Sequence, residues 1–314
     1  MQWHERIGRR LKLRNLHILL AVAQHGSMAK AAAALAISQP AVSKAIADMD
    51  HAVGLRLLDR TRQGTEVTTY GRALINHGTV IFDEIKQAAQ ELEFLSNPTV
   101  GELRIGSSES MAAGLLPAII DRFSLQYPKV TLTVAQAVLA TAHYRELRER
   151  SIDLLLGISP PLEEHDLQSE VLFDDQLVVI AGSRSKWARL RRLALADLEG
   201  ERWILPPANS PPGASAAAAF RACRLEMPQA PLTTLSIHLF LQLVATGRFV
   251  AMLPRSLMQF GGKNWPLKTL PIKIPIQPRS VAIMRLKNRT LSPVAQVFVE
   301  CARAVARAMP AKLA

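Results

Sequence analysis

The sequence has few cysteines and no long apolar run. Its 314 residues include two cysteines, Cys223 and Cys301, and neither belongs to a C-x-x-C pair. Two isolated cysteines exclude a disulfide framework and argue against a zinc site, and they favour reduced thiols packed inside a cytoplasmic protein. No stretch approaches the ~18 apolar residues that a membrane-spanning helix needs, so we expect no membrane partner.

Motifs of the common enzyme classes are also absent from the sequence. We find no G-x-S-x-G, H-E-x-x-H, P-loop or G-x-G-x-x-G pattern. The eight histidines are scattered without the spacing of metal ligands. The chain is therefore not expected to be an enzyme, and we predict no catalytic residues, no metal and no cofactor.

What the sequence does have is an uneven distribution of charge. Residues 1–62 hold ten Lys and Arg against four Asp and Glu, whereas residues 63–95 hold two against five. The remainder is also basic, so the net charge of +12 does not by itself locate a binding site. A second basic run, from Arg184 to Arg192, is interpreted as a solvated loop face. The basic N-terminal segment indicates nucleic-acid binding that weakens with salt.

The N-terminal segment has the pattern of a winged helix-turn-helix. Apolar residues at helical spacing predict a first helix, which Gly26 ends, and an alanine-rich second helix follows from Met28 to Leu35. The apolar residues that predict the first helix are Leu13, Leu16, Leu19, Leu20 and Ala23. Ser38 then stands at an N-cap position, and Pro40 fits the first turn of a third helix. The apolar face of that third helix is predicted to be Val42, Ile46, Met49 and Val53.

The opposite face of the third helix is polar and is predicted to meet DNA. Gln39 can pair with an adenine edge, whereas Ser43 and Lys44 suit phosphate oxygens. Taken singly, such residues are more often caps or solvated side chains. Their order along the chain fits the docking geometry of helix-turn-helix proteins on double-stranded DNA.

A small wing is predicted after Gly54. Residues 55–58 have an extended pattern, residues 60–64 form a basic turn, and residues 65–67 form the returning extended segment. Arginines in such a turn can enter the minor groove or hold phosphate. The predicted DNA contacts are Ser38, Gln39, Pro40, Ser43, Lys44, Arg60 and Arg62.

These residues resemble the signature of LysR-type transcriptional regulators. The matching segments are Ala31-Ala32, Ser38-Gln39-Pro40-Ala41-Val42-Ser43, Leu58-Asp59-Arg60 and Thr68-x-x-Gly71. The likeness continues along nearly the whole chain. Leu58 stands where the family usually has Phe, and Met49-Asp50 where Leu-Glu is usual, which we interpret as packing-neutral exchanges. Gln63 replaces a commonly basic residue, which would weaken a phosphate contact of the wing.

Residues 68–95 predict a long linker helix with a heptad seam. Steps of four and three separate its members, which are Leu74, Gly78, Ile81, Ile85, Ala88, Leu92 and Leu95. Such a narrow stripe favours self-association, and the alternative is a helix that lies on its own domain. Thr68 is placed to cap the helix. The resemblance implies a homodimer through this helix and often a homotetramer; the predicted dimer contacts are Leu74, Ile81, Ile85, Ala88 and Leu92.

The rest of the chain is predicted to be an α/β effector domain. Residues 96–99 contain Pro98, which disfavours helix before it and predicts a hinge. Apolar runs at 102–105, 131–135, 153–156, 177–181, 249–253 and 280–284 predict strands that alternate with helices. The fold class is thus α/β overall, with an N-terminal all-α winged helix-turn-helix and a long linker helix. The resemblance implies two Rossmann-like subdomains similar to periplasmic binding proteins.

The predicted domain boundaries follow from these patterns. Residues 1–67 form the DNA-binding domain, 68–95 the linker helix, 96–99 the hinge and 100–314 the effector domain. Crossovers are expected near Leu167 and between Ser280 and Thr290. Subdomain I therefore takes about 100–166 and 290–314, and subdomain II about 167–289, with residues 292–308 returning to pack on subdomain I.

An effector is expected in the cleft between the subdomains. Ligands of open α/β sheets bind beyond the carboxyl ends of the strands, where helix N-termini begin. The resemblance places Ser107, Ser108 and Ser110 in the effector-contact segment and Ser210 and Thr246 on the far wall. Serines at helix starts are more often caps than ligand contacts. The effector is expected to be an aromatic acid or a sugar.

The sequence thus predicts a transcriptional regulator that responds to a small molecule. The resemblance favours an activator, which implies RNA polymerase as a further partner. The alternative is an effector-independent repressor or architectural DNA-binding protein whose α/β domain only oligomerises. Neither the operator nor the regulated genes follow from the sequence.

Overall fold

The structure, a computed structural model, describes residues 11–61, 64–136, 140–159, 164–260 and 265–308. Two compact units divide the chain, residues 1–88 and residues 89–314. Among the described residues, no helix combines the length and apolarity that crossing a membrane requires. No group of three or more His, Cys, Asp or Glu in that part of the chain could hold a metal ion.

The first unit contains three short helices and a two-stranded wing, followed by most of a long helix. Its elements are α1 (Leu13–His25), α2 (Met28–Ala34), α3 (Gln39–Val53), β1 (Leu58–Thr61), β2 (Gly64–Val67) and α4 (Thr69–Ser96). Gly26 adopts the left-handed conformation that ends α1, as predicted. The predicted apolar face of α3 is confirmed, because Val42, Ile46, Met49 and Val53 are all buried.

Two details of the first unit differ from the sequence-based expectation. Leu13 is 51% exposed, because α1 buries Leu16, Leu19 and Val22 and thereby turns its first residue towards solvent. The first wing strand begins at Leu58 instead of Leu55, so Arg60 lies within the strand and not in the turn. The reason is packing: Leu57 and Leu58 are buried in the core of this unit and anchor the start of the strand.

The predicted seam of α4 divides into two parts. Leu74 packs against the core of the first unit, and buried Gly78 lies close enough to Leu16 that a Cβ would come within 3.0 Å of its side chain. The remaining seam residues are exposed. For this first part of α4, the alternative of a helix lying on its own domain is correct, because Leu16 and its neighbours already occupy the apolar face.

The second unit contains two mixed five-stranded sheets flanked by helices. The first sheet has the order β4-β3-β5-β12-β6 and the second has the order β11-β7-β10-β8-β9. The strands are β3 (Val100–Ser107), β4 (Lys129–Gln136), β5 (Leu154–Ile158), β6 (Leu167–Asp175), β7 (Leu177–Gly182), β8 (Trp203–Leu205), β9 (Leu232–Thr233), β10 (Val250–Pro254), β11 (Leu267–Thr269) and β12 (Arg279–Leu286). The helices are α5 (Glu109–Ala113), α6 (Leu115–Gln126), α7 (Ala140–Arg148), α8 (Pro211–Ala222), α9 (Ile237–Ala245), α10 (Arg255–Phe260) and α11 (Pro293–Arg307). All six predicted strands are present.

The crossovers lie at other positions than predicted. β6 pairs antiparallel with β12 in the first sheet, so the chain leaves subdomain I at Gln176, not near Leu167. It returns immediately before Arg279, where β12 begins. Subdomain I therefore contains residues 100–175 and 279–308, and subdomain II residues 177–277. The apolar runs reveal strands but not pairing partners, which explains the shifted boundaries.

The segment between α4 and the first sheet is a tight turn. Asn97 Oδ1 accepts from the Thr99 amide at 3.2 Å and from the Thr99 hydroxyl at 2.7 Å. Helix α4 ends at Ser96, as Pro98 predicts, but Phe94 already packs against the first sheet's core. The compact units consequently divide at Ala88, within the helix, and not at residue 95.

Each subdomain has its own apolar core. Subdomain I packs α6 against α11, with the Phe123 and Phe298 rings 5.4 Å apart, so the predicted return of the C-terminal helix is confirmed. Cys301 lies in this core and Cys223 packs against the core of subdomain II; both are free thiols. Their separation into two cores agrees with the expectation of reduced, packed cysteines.

A buried ion cluster connects three segments of subdomain I. Asp153 accepts from Arg104 Nη2 at 2.8 Å and from Arg289 Nη2 at 2.7 Å, and Arg289 is almost fully buried. Burial opposes the ionisation of Asp153, but the hydrogen bonds and charges of the two arginines prevail and hold its pKa below the usual 3.8. The cluster ties β3, the start of β5 and the segment after β12 together.

Candidate functional site

The recognition helix α3 presents its polar residues to solvent. Ser38 caps the helix, its Oγ accepting from the Ala41 amide at 3.4 Å, and Pro40 lies in the first turn, as predicted. Gln39 and Lys44 are exposed, and Ser43 is partly exposed. The helix therefore places a bidentate amide and an ammonium group on the side opposite its core. That arrangement suits an adenine edge and a phosphate in the major groove.

The wing is held in place by one hydrogen bond to α3 and one to the residue that ends α1. The Leu57 amide donates to Asp50 Oδ1 at 3.0 Å, which connects the end of α3 to the start of the wing. Burial raises the pKa of Asp50, which this amide hydrogen bond partly offsets. Asp50 is thus more than a packing-neutral exchange, because its short carboxylate positions the wing. The Thr65 amide of β2 donates to the carbonyl of Gly26.

The junction between wing and linker helix requires a glycine. Thr68 Oγ1 donates to the carbonyl of Arg56 at 2.8 Å and accepts from the Gly71 amide at 3.0 Å, so the predicted cap of α4 is confirmed. A Cβ on Gly71 would lie 2.0 Å from the carbonyl oxygen of Leu57. Arg62, Gln63 and the side chain of Arg60 lie outside the described residues. Their predicted contacts stay predictions.

An exposed apolar stripe runs along the second part of α4. Ile81 and Ile85 are 39% and 45% exposed, and Leu92 and Leu95 are 69% and 71% exposed. With Ala88, which is also exposed, they occupy the predicted seam positions. Large side chains at heptad spacing that none of the described residues covers are typical of an interface between helices.

A cavity of about 380 Å³ lies between the two subdomains. This volume is within the usual range for small-molecule sites. The walls are mostly apolar, and residues of that kind include Ile158, Leu177, Phe240, Leu253 and Ile276. Polar lining comes from both subdomains and includes Ser108, Glu109, Ser110, Thr234 and Arg279.

Two of the five predicted effector contacts line this cavity. Ser108 and Ser110 face it, and their hydroxyls lie 3.3 Å apart. Ser107 is fully buried at the end of β3, where its hydroxyl donates to the carbonyl of Ser108. The pleat of the strand turns successive side chains to opposite sides, and therefore Ser107 does not reach the cavity wall.

The predicted far-wall residues, Ser210 and Thr246, do not line the cavity. Ser210 caps α8: its Oγ donates to the carbonyl of Pro207 at 2.6 Å and accepts from the Gly213 amide at 3.2 Å. Thr246 follows the C-terminal end of α9, whereas the N-terminal end of that helix faces the cavity, and its hydroxyl donates to the carbonyl of Leu243. The far wall includes instead Thr234 and residues of α8 and α9, such as Ser215 and Phe240.

Three pairs of described residues form polar contacts between the subdomains beside the cavity. Glu109 Oε1 accepts from the Ile237 amide at 2.8 Å, at the N-terminus of α9. Asp175 accepts from the Ser256 amide at 3.1 Å and from its hydroxyl at 2.5 Å. Burial raises the pKa of Asp175, although these hydrogen bonds partly offset the shift.

The third contact joins the two subdomains through β12. Arg279 Nη1 donates to Ser215 Oγ of α8 at 3.0 Å. Sequence reasoning missed Glu109, Asp175 and Arg279, because each lies more than 60 residues from its partner. The one available signal was their position at the ends of predicted strands.

Comparisons with known proteins agree with this architecture. Residues 13–72 match the profile of the bacterial regulatory helix-turn-helix protein, lysR family, and residues 96–307 match the LysR substrate binding domain. The regulator GbpR of Azospirillum brasilense is 28% identical over 94% of this chain and 86% of its own length. The uncharacterized HTH-type regulator YdcI of Escherichia coli K12 is 27% identical over 99% of this chain and 100% of its own.

Solved structures share the fold at low sequence identity. A full-length OxyR from Pseudomonas aeruginosa is similar with a TM-score of 0.65 and 19% identity, over 96% of this chain and 99% of that one. Full-length CbnR complexed with its target DNA has a TM-score of 0.55 and 20% identity, over 94% of this chain and 100% of that one. The family profiles together cover the DNA-binding unit and the α/β unit. This chain therefore belongs to the LysR family of transcriptional regulators: it is a DNA-binding regulator with an effector-binding domain, and not an enzyme.

Proposed function

We propose that a small molecule bound in the cavity between the subdomains controls promoter binding by the helix-turn-helix. The observation that carries this proposal is the composition of the cavity wall, to which both subdomains contribute, Ser108 from one and Phe240 from the other. A ligand that touches both walls prefers one relative arrangement of the subdomains. It shifts the equilibrium by its difference in affinity for the two arrangements.

Filling the cavity tests this proposal. In Ser108→Trp the indole takes up space that the effector needs, so the change in DNA affinity on adding effector should disappear while affinity without effector stays the same. Ser124→Trp is the matched control, because Ser124 is an exposed residue of α6 outside the cavity. DNA affinity is measured by fluorescence anisotropy on operator fragments selected from genomic binding sites.

Two results would contradict the proposal. One is a Ser108→Trp protein that responds to effector like the unmodified protein. The other is a broad screen of small acids and sugars in which no compound raises the melting temperature, since any ligand of the folded state must stabilise it. Either result would favour an effector-independent repressor or architectural protein whose α/β unit only oligomerises.

The exposed stripe of α4 supports self-association as part of this function. Two copies joined through Ile81, Ile85, Ala88, Leu92 and Leu95 would present two recognition helices to two half-sites. Ile85→Lys should convert a dimer, or a tetramer built from two dimers, to monomers in analytical ultracentrifugation. Asn76→Lys adds the same charge at an exposed position off the stripe and should not. An Ile85→Lys protein that keeps its oligomeric state would refute this role of the helix.

Activation rather than repression is the proposed outcome, with RNA polymerase as the partner at the promoter. The support is the family to which the chain belongs, and a bacterial regulator of this kind would act in the cytoplasm, where the chromosome is. Transcription from the selected promoter in a purified system, with and without this protein, measures the sign of the effect directly.

A further inference from the structure

Arg279 is a cation at the wall of a largely apolar cavity. It is the first residue of β12, at the point where the chain returns to subdomain I, and its side chain lines the cavity. Its Nη1 donates to Ser215 Oγ, a neutral partner from subdomain II. Among the described residues, this is the hydrogen bond that its guanidinium makes, and no carboxylate there forms an ion pair with it. A guanidinium has five N–H donors, so most of its capacity is available.

Among the described residues, the environment of Arg279 includes Tyr144 and partly desolvates its guanidinium. Arg279 is an exposed residue, but neighbouring protein atoms partly desolvate its guanidinium and this lowers its pKa. The titratable group that acts on it is Tyr144, and burial raises the pKa of that phenol above 10.0, so Tyr144 is neutral at pH 7. A guanidinium that faces an apolar cavity with most of its N–H donors available favours an anionic ligand.

The two carboxylates of the cavity wall are already engaged across the cleft. Glu109 accepts from the Ile237 amide, and both oxygens of Asp175 accept from Ser256. These contacts argue against a site designed for a cationic ligand. Among the described residues of its wall, the cavity therefore combines the guanidinium of Arg279 with apolar side chains such as Phe240 and Leu253.

We propose that the effector is a carboxylate with a compact apolar body, and that Arg279 is the residue that selects its charge. This inference rests on the proposed function, since it concerns the same cavity. The planar guanidinium can hold a carboxylate through two parallel N–H···O bonds while Ser215 keeps it in place. The apolar walls then cover the body of the acid.

Matched acids and amides test the selection of charge. Benzoate, hexanoate and cyclohexanecarboxylate are compared with their primary amides, and benzylamine serves as the cationic probe, by isothermal titration calorimetry on the full chain. Charged hydrogen bonds contribute about 1.5–3 kcal/mol, which corresponds to about a tenfold to hundredfold difference in Kd. We expect the acids to bind more tightly than their amides by about that factor.

Variants of Arg279 connect the preference to this residue. Arg279→Gln should weaken acid binding about tenfold to a hundredfold and leave amide binding unchanged, and Arg279→Lys should retain part of the acid affinity because it keeps the charge. Arg221→Gln removes an exposed arginine of α8 outside the cavity and should change neither. Operator affinity without ligand verifies that each variant is folded.

The possible results separate this inference from the proposed function. If amides or benzylamine bind as tightly as the acids and shift operator affinity, Arg279 does not select charge, while the effector site itself stands. The same holds if the acids bind but Arg279→Gln does not weaken them. If neither the acids nor the other probes bind, and Ser108→Trp also leaves the regulator unchanged, both the inference and the proposed function are overturned.

Discussion

The contacts inside the DNA-binding unit and those inside the effector unit join residues at very different separations along the sequence. In the first unit, Asp50 bonds an amide 7 residues away and Thr68 a carbonyl 12 residues away. In the second, Arg104 bonds Asp153 49 residues away, and Arg289 bonds the same carboxylate across 136. The first site is thus a local pattern of helix, turn and wing. The cavity exists only once distant segments have assembled, and contacts of long range form more slowly in folding.

The largest expected effect is on the stability of the effector unit, whose contacts join distant residues. Asp153→Ala should lower the free energy of unfolding of the effector unit by about 3–5 kcal/mol, because it removes the carboxylate that pairs with the buried guanidinium of Arg289. Chemical denaturation followed by tryptophan fluorescence measures the change. Glu149→Ala removes an exposed partner of Arg145 and should stay within about 0.5 kcal/mol. Equal changes in the free energy of unfolding would show that the buried cluster stabilises the protein no more than an exposed ion pair does.

The next largest effect is on the DNA-binding unit, whose contacts are short-range. Gly71→Ala places a Cβ 2.0 Å from the carbonyl oxygen of Leu57, so backbone must move, at a cost of about 1–3 kcal/mol to the DNA-binding unit. Operator affinity should fall with it. Gly200→Ala is the control, because a Cβ there meets nothing within 4 Å. Unchanged operator affinity in Gly71→Ala would show that the junction of wing and linker helix tolerates displacement.

Two substitutions in the recognition helix should separate its contribution to base recognition from its contribution to phosphate binding. Gln39→Ala should cost about 1–3 kcal/mol at the preferred operator and relax the preference for one base. Lys44→Ala should weaken binding to all sequences and reduce the salt slope by about one. Selection of binding sites from random DNA, together with anisotropy at several salt concentrations, measures both. An unchanged site profile for Gln39→Ala would remove that residue from base recognition.

The smallest effect is on the pH dependence of stability. The pKa of Asp153 is lowered by folding, so its ionised form stabilises the folded state above the unfolded value of 3.8, and this contribution is lost as the pH falls through the folded pKa. Asp153→Asn should flatten that acid limb of the stability curve below pH 3.8. Denaturation midpoints measured in steps of pH test it; an identical acid limb in the variant would assign the acid sensitivity to other carboxylates.

The difference in range also explains which features the sequence predicts. The caps Ser38 and Thr68, the terminating Gly26 and the buried face of α3 follow from spacing and side-chain chemistry within a few residues, and the structure confirms them. The six strands follow from apolar runs. Their pairing does not, because β6 and β12 are more than 100 residues apart, and so the subdomain boundaries were misplaced.

Only the part of the candidate effector site that directly follows β3 was predicted from the sequence. Ser108 and Ser110 follow directly after β3, at the edge where ligands of α/β sheets bind. Ser210 and Thr246 have the same residue types, but their hydroxyls satisfy nearby backbone groups. Arg279 offers no local pattern, since its significance depends on Ser215 and on the apolar walls that other segments bring to it.

The two crossings of the chain between the subdomains restrict how the cleft can move. They lie side by side, because Asp175 at the end of β6 is paired in register with Arg279 at the start of β12. Two adjacent covalent attachments leave essentially one degree of freedom, rotation about an axis through both, whereas a single attachment would also permit twisting. Displacement in such a rotation grows with distance from the axis. Arg279 lies beside the two crossings, so such a rotation would displace its guanidinium little, whereas the cavity walls farther from the axis would move more.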